Sequence, residues 1–483
     1  MSDTARAAGL ALLRSHALIA GEAVQGDSRI AVDDPATGEV IGHVPDLGVE
    51  HTERAIAAAH AAYPAWTRTS PHEPAAILRR SPGLIDANAE GLAGLMALEN
   101  GKPLEEARGE VAYANGFIKW FAGEAERLQG ETQDSPLGHA ILTFREAVGP
   151  CAMITPWNFP AAMLTRKLGP AFAAGCTAVV KPASQTPFTA IALVELAYEA
   201  GVPGGALSVV TGDAATIGGA LTASPLIRKL SFTGSTPVGR LLAGQCAPTL
   251  KRVSMELGGA APLIVFADAD LDHAVAETIK GKFRNSGQTC VCPNRVYVEA
   301  PVARTFAEKL AAAVAGLKVG AAFEPGVKIG PLIEDKALDK VEAHGAHIRA
   351  TGGEVLTGGA RHALGGRFFE PTATLGGDDR LFRNEETFGP LVPVFAFEDE
   401  ADVMTRANDS EFGLASYLFT RDLDRALRIA RALQNGIVGV NTGLISTPVA
   451  PFGGVKQSGY GREGSTHGIE EYLDIKAVTL NLR

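Results

Sequence analysis

Apolar residues recur at helical spacing through residues 50–62 and 90–99, and Gly101-Lys-Pro103 punctuates the second stretch. Further along, the period changes. Gly149-Pro-Cys-Ala-Met-Ile154 and Thr177-Ala-Val-Val180 are short apolar runs of the kind that form buried parallel strands, and residues 161–174 between them predict a crossover helix. Residues 188–200 predict another helix, stopped by Gly201 and Pro203, and Leu207-Ser-Val-Val210 reads as the next strand. This βαβαβ rhythm predicts a doubly wound α/β domain. A second α/β unit begins near Ala261-Pro-Leu-Ile-Val-Phe266, with helices expected over 268–282 and 302–317. The Pro/Gly cluster at 323–330 and the Gly-rich stretch 352–366 read as loops. Residues 470–482 look like a strand with no obvious partner of its own, which suits addition to a sheet in another subunit.

Composition narrows the classes. A chain of 483 residues is too long for one compact core, so two or three domains are expected. Lys plus Arg number 44 against 54 Asp plus Glu, a net charge of −10 that argues against general nucleic-acid or anionic-membrane binding. Five cysteines do not make a disulfide framework, and the odd count suggests a reducing compartment. The apolar stretch 7–13 is short for an export signal. Residues 147–165 contain Pro150, Pro156 and Pro160, and 432–455 are rich in Gly, Pro and Asn, so neither predicts a regular spanning helix. A soluble, cytoplasmic protein is expected.

A few positions carry candidate chemistry. Cys290 follows Gly287 in Phe283-Arg-Asn-Ser-Gly-Gln-Thr-Cys-Val-Cys-Pro293; a thiol is the most nucleophilic neutral-pH side chain and attacks carbonyls. Taken alone, a cysteine is more often a small buried hydrophobe. Cys-Val-Cys would suit a metal pair, but no second Cys/His pair completes a site, and no metal is expected. Glu256 precedes a glycine pair in an apolar setting that would raise its pKa and suit a base, although an ordinary surface charge is the commoner case. Asn158, in Thr155-Pro-Trp-Asn-Phe-Pro160, is either an oxyanion donor or a loop-stabilising amide. Phe232-Thr-Gly-Ser-Thr-Pro-Val-Gly-Arg240 reads strand, glycine turn, helix start, a place that favours phosphate, though it is not the GxGxxG fingerprint. Lys181 follows a strand at the edge where open α/β sheets bind ligands.

Together these segments resemble one family over nearly the whole chain, the aldehyde dehydrogenase superfamily, and within it the succinate-semialdehyde dehydrogenases. The segments are Thr155-Pro-Trp-Asn-Phe-Pro160, Lys181-Pro-Ala-Ser-Gln-Thr-Pro187, Ser231-Phe-Thr-Gly-Ser-Thr236, Glu256-Leu-Gly-Gly259, Gly287-Gln-Thr-Cys290, Asn384-Glu-Glu-Thr-Phe-Gly-Pro390 and Pro451-Phe-Gly-Gly454. The resemblance implies a Rossmann-like cofactor domain (1–127 and 148–258, with 455–469 returning to it). It also implies an α/β catalytic domain (259–454) and a small β oligomerisation element (128–147 and 470–483) in a dimer or homotetramer.

It further implies that Cys290 attacks the aldehyde while its own amide and Asn158 hold the oxyanion. The thiohemiacetal then gives hydride to a nicotinamide, and Glu256 activates water to release the thioacyl group. Thr155, Pro156, Trp157, Lys181, Ser184, Gly234, Ser235, Glu386 and Phe388 would bind the cofactor. Ser184 stands where many NAD-preferring relatives carry Glu, which removes a charge that would repel a 2′-phosphate, so NADP is slightly favoured over NAD. Arg166, Arg284 and Ser446 match positions that bind the substrate carboxylate, which a guanidinium fork suits. Glutarate semialdehyde, one methylene longer, is the alternative substrate. Cys292 matches the partner of a reversible redox switch with Cys290. Pro82 departs from the family pattern, and a kink or shift is expected there. A CoA-acylating relative would usually lack Glu256, a non-catalytic relative would not need the intact set, and a cysteine hydrolase would need a histidine that none of these segments has.

Overall fold

A computed structural model describes residues 2–481 of the chain. Its largest sheet has eight strands, in the spatial order Glu22–Val24, Ala17–Ile19, Leu207–Val209, Ala178–Lys181, Cys151–Ile154, Lys229–Thr233, Arg252–Glu256 and Gly459–Tyr460. The five strands from Leu207–Val209 to Arg252–Glu256 are parallel. From Cys151–Ile154 the chain first builds outward in one direction, then returns and builds the other way from Lys229–Thr233. The gap between those two strands is therefore the switch point of a doubly wound sheet, where the loops after the strands part and leave a crevice.

The apolar runs become strands because helices cover both faces. Ala178 and Val180 enter one core cluster while Val179 enters another on the opposite face, the period-two alternation of a strand with no wet side. A second sheet of seven strands runs Glu354–Thr357, Thr372–Leu375, Leu391–Phe397, Pro293–Glu299, Ala261–Val265, Ala415–Phe419 and Ile437–Val440. It obeys the same rule: Leu263 and Val265 pack on one side and Ile264 on the other. A third sheet of three strands joins Leu473–Leu480, Ala140–Ala147 and Thr132–Asp134. Among the described residues no helix is long and apolar enough to cross a membrane.

Two expectations need correction. The terminal strand does have a partner in its own chain: it runs antiparallel to Ala140–Ala147, from Leu473 opposite Ala147 to Leu480 opposite Ala140. That partner mixes Thr, Arg and Glu with apolar residues, so no apolar run announces it. Leu482, the last residue of the expected strand, lies outside the described residues. The Gly-rich stretch 352–366 is not all loop, because Glu354–Thr357 pairs antiparallel with Thr372–Leu375 as an edge strand. At Pro82, His72–Ala87 is one continuous helix with the proline inside it, and the Pro82 carbonyl accepts a 3.1 Å hydrogen bond from Asn115 Nδ2.

Candidate active site

A cavity of about 380 Å³ opens at the switch point. Pro156, Trp157 and Asn158 line it from the loop after Cys151–Ile154, and Gly234 and Ser235 from the loop after Lys229–Thr233. Glu256 ends its strand there, and Cys290, Glu386 and Phe388 enter from the side of the second sheet. Arg166, Arg284 and Ser446 line the same space. Thr155, Lys181 and Ser184 are not among the lining residues. Thr155 begins the same loop as Pro156, and Lys181 and Ser184 stand one strand over on the same sheet edge, where Thr155 N–H donates to the Lys181 carbonyl at 3.1 Å.

The loop before Cys290 is the most constrained backbone in the cavity wall. Asn285, Ser286 and Gly287 take φ of +50°, +57° and +79° in succession. A left-handed non-glycine residue costs roughly 1–2 kcal/mol, and the neighbours hold both in place. Asn285 N–H donates to Glu106 Oε2 at 2.6 Å, its Nδ2 donates to the Asn158 carbonyl at 3.0 Å, and Ser286 Oγ donates to the Gly330 carbonyl at 3.0 Å. Gly287 admits no side chain, since a β-carbon there would fall 2.2 Å from the Gly389 carbonyl oxygen. Gly259 is equally confined: its β-carbon would meet the Cys290 carbonyl oxygen at 2.7 Å. Asn158 Nδ2 donates to the Gln288 carbonyl at 3.0 Å, and an amide nitrogen carries a second N–H for another acceptor.

Burial dominates the electrostatics. It pushes the Cys290 thiol up to about 12, with the nearby Glu386 adding to the rise. Burial, then Glu463, raises Glu256 well above the usual carboxylate range, and neither of its side-chain oxygens has a hydrogen-bond partner. Glu386 rises to about 8 through burial, against the pull of Lys340, the Gly259 amide and Lys282. Burial thus favours the protonated form of each of these groups.

The two arginines differ. Arg166 is buried, its Nε 2.8 Å from Glu463 Oε2, yet so poorly aligned that neither atom makes a proper hydrogen bond. Its guanidinium lies 4.1 Å from the centre of the Phe452 ring. Arg284 lies over the Phe159 ring at 4.7 Å. Cys292 does not line the cavity; its thiol donates to the Lys282 carbonyl at 3.3 Å. All five cysteines are free thiols. No group of three or more His, Cys, Asp or Glu among the described residues is placed to hold a metal.

Sequence reasoning missed several participants. Tyr113 and Phe452 line the cavity, and Lys167 Nζ donates to Thr233 Oγ1 at 2.7 Å and to Glu463 Oε1 at 2.6 Å. Lys102 and Glu110 form a buried ion pair beneath Asn158. Two had a local signal: Lys102 in the punctuation at Gly101-Lys-Pro103, and Phe452 in the segment Pro451-Phe-Gly-Gly454.

The residues present fit a dinucleotide. The helix Thr236–Cys246 begins at the cavity, and its N-cap residue Ser235 makes no side-chain capping bond, which leaves the first amides for an anion. Lys181 is buried at its strand's C-terminal end, and burial lowers it to about 8. A doubly wound sheet whose switch point meets a thiol and two carboxylates belongs among the dinucleotide-binding oxidoreductase folds. The chain belongs to the aldehyde dehydrogenase family, whose model matches residues 23–478. It is 55% identical to the glutarate-semialdehyde dehydrogenase of Pseudomonas putida over 98% of each chain. It is 54% identical to the succinate-semialdehyde dehydrogenase (NADP(+)) of Escherichia coli, again over 98% of each. The crystal structure of succinate-semialdehyde dehydrogenase from Burkholderia pseudomallei superposes with a TM-score of 0.96 at 55% identity, covering 97% of this chain and 98% of that one.

With the thiol held protonated by burial, alkylation of Cys290 in the cofactor-free protein should accelerate about ten-fold per unit between about pH 7 and 9, because the thiolate fraction grows at that rate below the pKa. Mass spectrometry of the Cys290 peptide after timed iodoacetamide treatment measures this. A plateau by about pH 8 would show that the thiol titrates lower than its burial implies.

Proposed function

We propose that the chain oxidises a carboxylated semialdehyde, succinate semialdehyde first, to the corresponding dicarboxylate with NADP or NAD. The observation that carries this reading is one cavity lined at once by Cys290, Glu256 and Asn158 and by Arg166 and Arg284. When bound, the dinucleotide supplies the hydride acceptor. Lys181, Ser184 and Thr155 at the sheet edge, Gly234 and Ser235 at the helix start, and Pro156, Trp157, Glu386 and Phe388 in the cavity wall would hold it.

The chain's own residues do the rest. The Cys290 thiol gives its proton to solvent water and, as thiolate, forms the carbon–sulfur bond to the aldehyde as the carbonyl π bond breaks, and the second N–H of Asn158 Nδ2, with the Cys290 amide, receives the resulting oxyanion. Glu256, with both oxygens unengaged, takes a proton from the water that later cleaves the thioester. Arg284, and the face of Arg166 turned away from Glu463, receive the distant carboxylate with Ser446. Glutarate semialdehyde is the second reading, favoured by the Pseudomonas putida relative's name. One methylene is worth only about 1–3 kcal/mol of discrimination.

Three further assignments belong to the same proposal. The domains are the cofactor domain (1–127, 148–258 and 455–469), the catalytic domain (259–454) and the oligomerisation element (128–147 and 470–483); the three large sheets support this division. The chain works as a homo-oligomer, a tetramer first, in the cytoplasm. Support comes from the edge strands Leu473–Leu480 and Ile437–Val440, from Val238 and Leu241 exposed on one helix, and from the five free thiols. Cys292 closes a reversible disulfide with Cys290 under oxidation, which needs its thiol to leave the Lys282 carbonyl.

A panel of carboxylated and neutral aldehydes, each with both cofactors, tests the main reading. Succinate semialdehyde should exceed a neutral aldehyde of like length in kcat/KM by about 10-fold to 100-fold, the worth of a charge-assisted pair. NADP should serve at least as well as NAD, and Cys290→Ala should bind cofactor but turn nothing over. Equal kcat/KM for neutral and carboxylated aldehydes would end the two-arginine argument, and a strong NAD preference would end the Ser184 argument. Peroxide inactivation should be reversed by dithiothreitol and weakened in Cys292→Ala; irreversible loss in both chains removes the switch. Light scattering should give a multiple of the 50.2 kDa chain mass, and a monomer at micromolar concentration would refute the assembly.

A further inference from the structure

The helix Ala89–Asn100 ends in a segment that touches no substrate yet reaches three parts of the site. Glu99 and Asn100 are 0% exposed and Lys102 2% exposed. Glu99 accepts hydrogen bonds from Phe188 N–H at 2.8 Å and Thr189 N–H at 2.9 Å, at the start of the helix that follows the Lys181 and Ser184 loop. Asn100 Nδ2 donates to the Trp157 carbonyl at 3.0 Å. Lys102 Nζ donates to the Asn158 carbonyl at 2.7 Å and pairs with Glu110.

Lys102 and Glu110 are the deeper puzzle. Their side chains are each 1% exposed, and two charges at that depth lose more on desolvation than their attraction returns unless every donor and acceptor is met. They are met, and in one direction. Glu110 Oε1 accepts from Ala161 N–H at 3.0 Å and Ala162 N–H at 3.2 Å, where the helix Ala162–Ala174 that carries Arg166 begins. Lys102 Nζ lies 4.2 Å from the centre of the Phe159 ring. The pair thus holds the backbone on both sides of Phe159 and Pro160, in the stretch whose side chains include the Asn158 amide. An apolar pair of the same volume would fill the space without the desolvation cost, but it has no acceptor for the helix start and would leave the Asn158 carbonyl with the neutral Asn285 amide in place of a charged donor.

We propose that Lys102, paired with Glu110, is a positioning residue for oxyanion stabilisation: it fixes the Asn158 backbone so that the Asn158 amide stands at the aldehyde oxygen when the carbon joins Cys290. This rests on the dehydrogenase reading above. Lys102 does not line the cavity, so it acts through Asn158 and not on the substrate.

The test is a double-mutant cycle. Lys102→Met/Glu110→Gln removes both charges and leaves an amide oxygen to accept from Ala161 and Ala162; Lys102→Met alone is the companion variant. With Asn158 present, kcat for succinate semialdehyde should fall about 10-fold or more, as misplacement of a catalytic group by about an ångström does. The cofactor dissociation constant, read from NADPH fluorescence, should stay within about two-fold, since the proposal leaves that subsite alone. In an Asn158→Ala background the same substitutions should change kcat by less than about two-fold, because the group they position is gone. Equal losses in both backgrounds, an unchanged kcat with Asn158 present, or failure of both variants to fold would each overturn the proposal. Failure of the dehydrogenase reading would show separately, as no aldehyde oxidation by the unsubstituted chain.

Discussion

Backbone lies directly on backbone on both sides of the candidate nucleophile. Gly287 faces the Gly389 carbonyl and Gly259 faces the Cys290 carbonyl, each so closely that a single methyl group would have to displace main chain. These contacts tie three stretches that are distant in sequence: the end of the first sheet, the loop carrying the thiol, and the loop carrying Glu386 and Phe388. Phe388 itself sits at φ +51° and meets Trp157 edge to face at 5.6 Å. The relative heights of Glu256, Cys290 and Glu386 in the cavity are consequently set by peptide planes and not by rotamers. Such precision suits a reaction in which one carbon must meet a sulfur, a hydride acceptor and later a water.

Close packing has an electrostatic cost. A thiol and two carboxylates share a poorly hydrated space, and each is pushed toward its protonated form. Three of the cations nearby face carboxylates of their own. Lys167 and one edge of Arg166 answer Glu463, while Lys102 answers Glu110. Arg284 is the cavity arginine without such an ion pair, and it rests against an aromatic face. The net chain charge of −10 therefore says little about this region, where Arg166, Lys167 and Lys102 face buried carboxylates before any ligand arrives.

Much of this was legible in the residues themselves. The runs at 149–154, 177–180 and 207–210 are apolar without alternation because the strands they form are covered on both faces, and their spacing reveals the parallel order. The glycine pair after Glu256 and the glycine before Cys290 were visible in the sequence, and the structure supplies the atoms that Gly259 and Gly287 approach. The pairings across long sequence separations were not legible. Glu463 lies 296 positions from Lys167, and no local pattern marks either as the other's partner. Lys102 looked like part of a helix stop, since a buried lysine and an exposed one are written alike. The strand Ala140–Ala147 stayed hidden because one of its faces is wet and its residues are mixed.

The C-terminal stretch has a consequence for how the molecule comes into being. Ser458 Oγ donates to the Gly258 carbonyl at 2.7 Å, its carbonyl accepts from Leu257 N–H at 3.0 Å, and Glu463 neutralises Lys167 and Arg166. Each of these groups stands behind the floor of the cavity, and each leaves the ribosome after nearly everything it supports. Domains that fold as they are synthesised can settle the parallel strands of the first sheet early, but Lys167 and Arg166 stay unmatched until Glu463 arrives. A nascent or prematurely terminated polypeptide would carry the thiol without the environment that directs it. Competence is thereby delayed until residues 458–463 are in place.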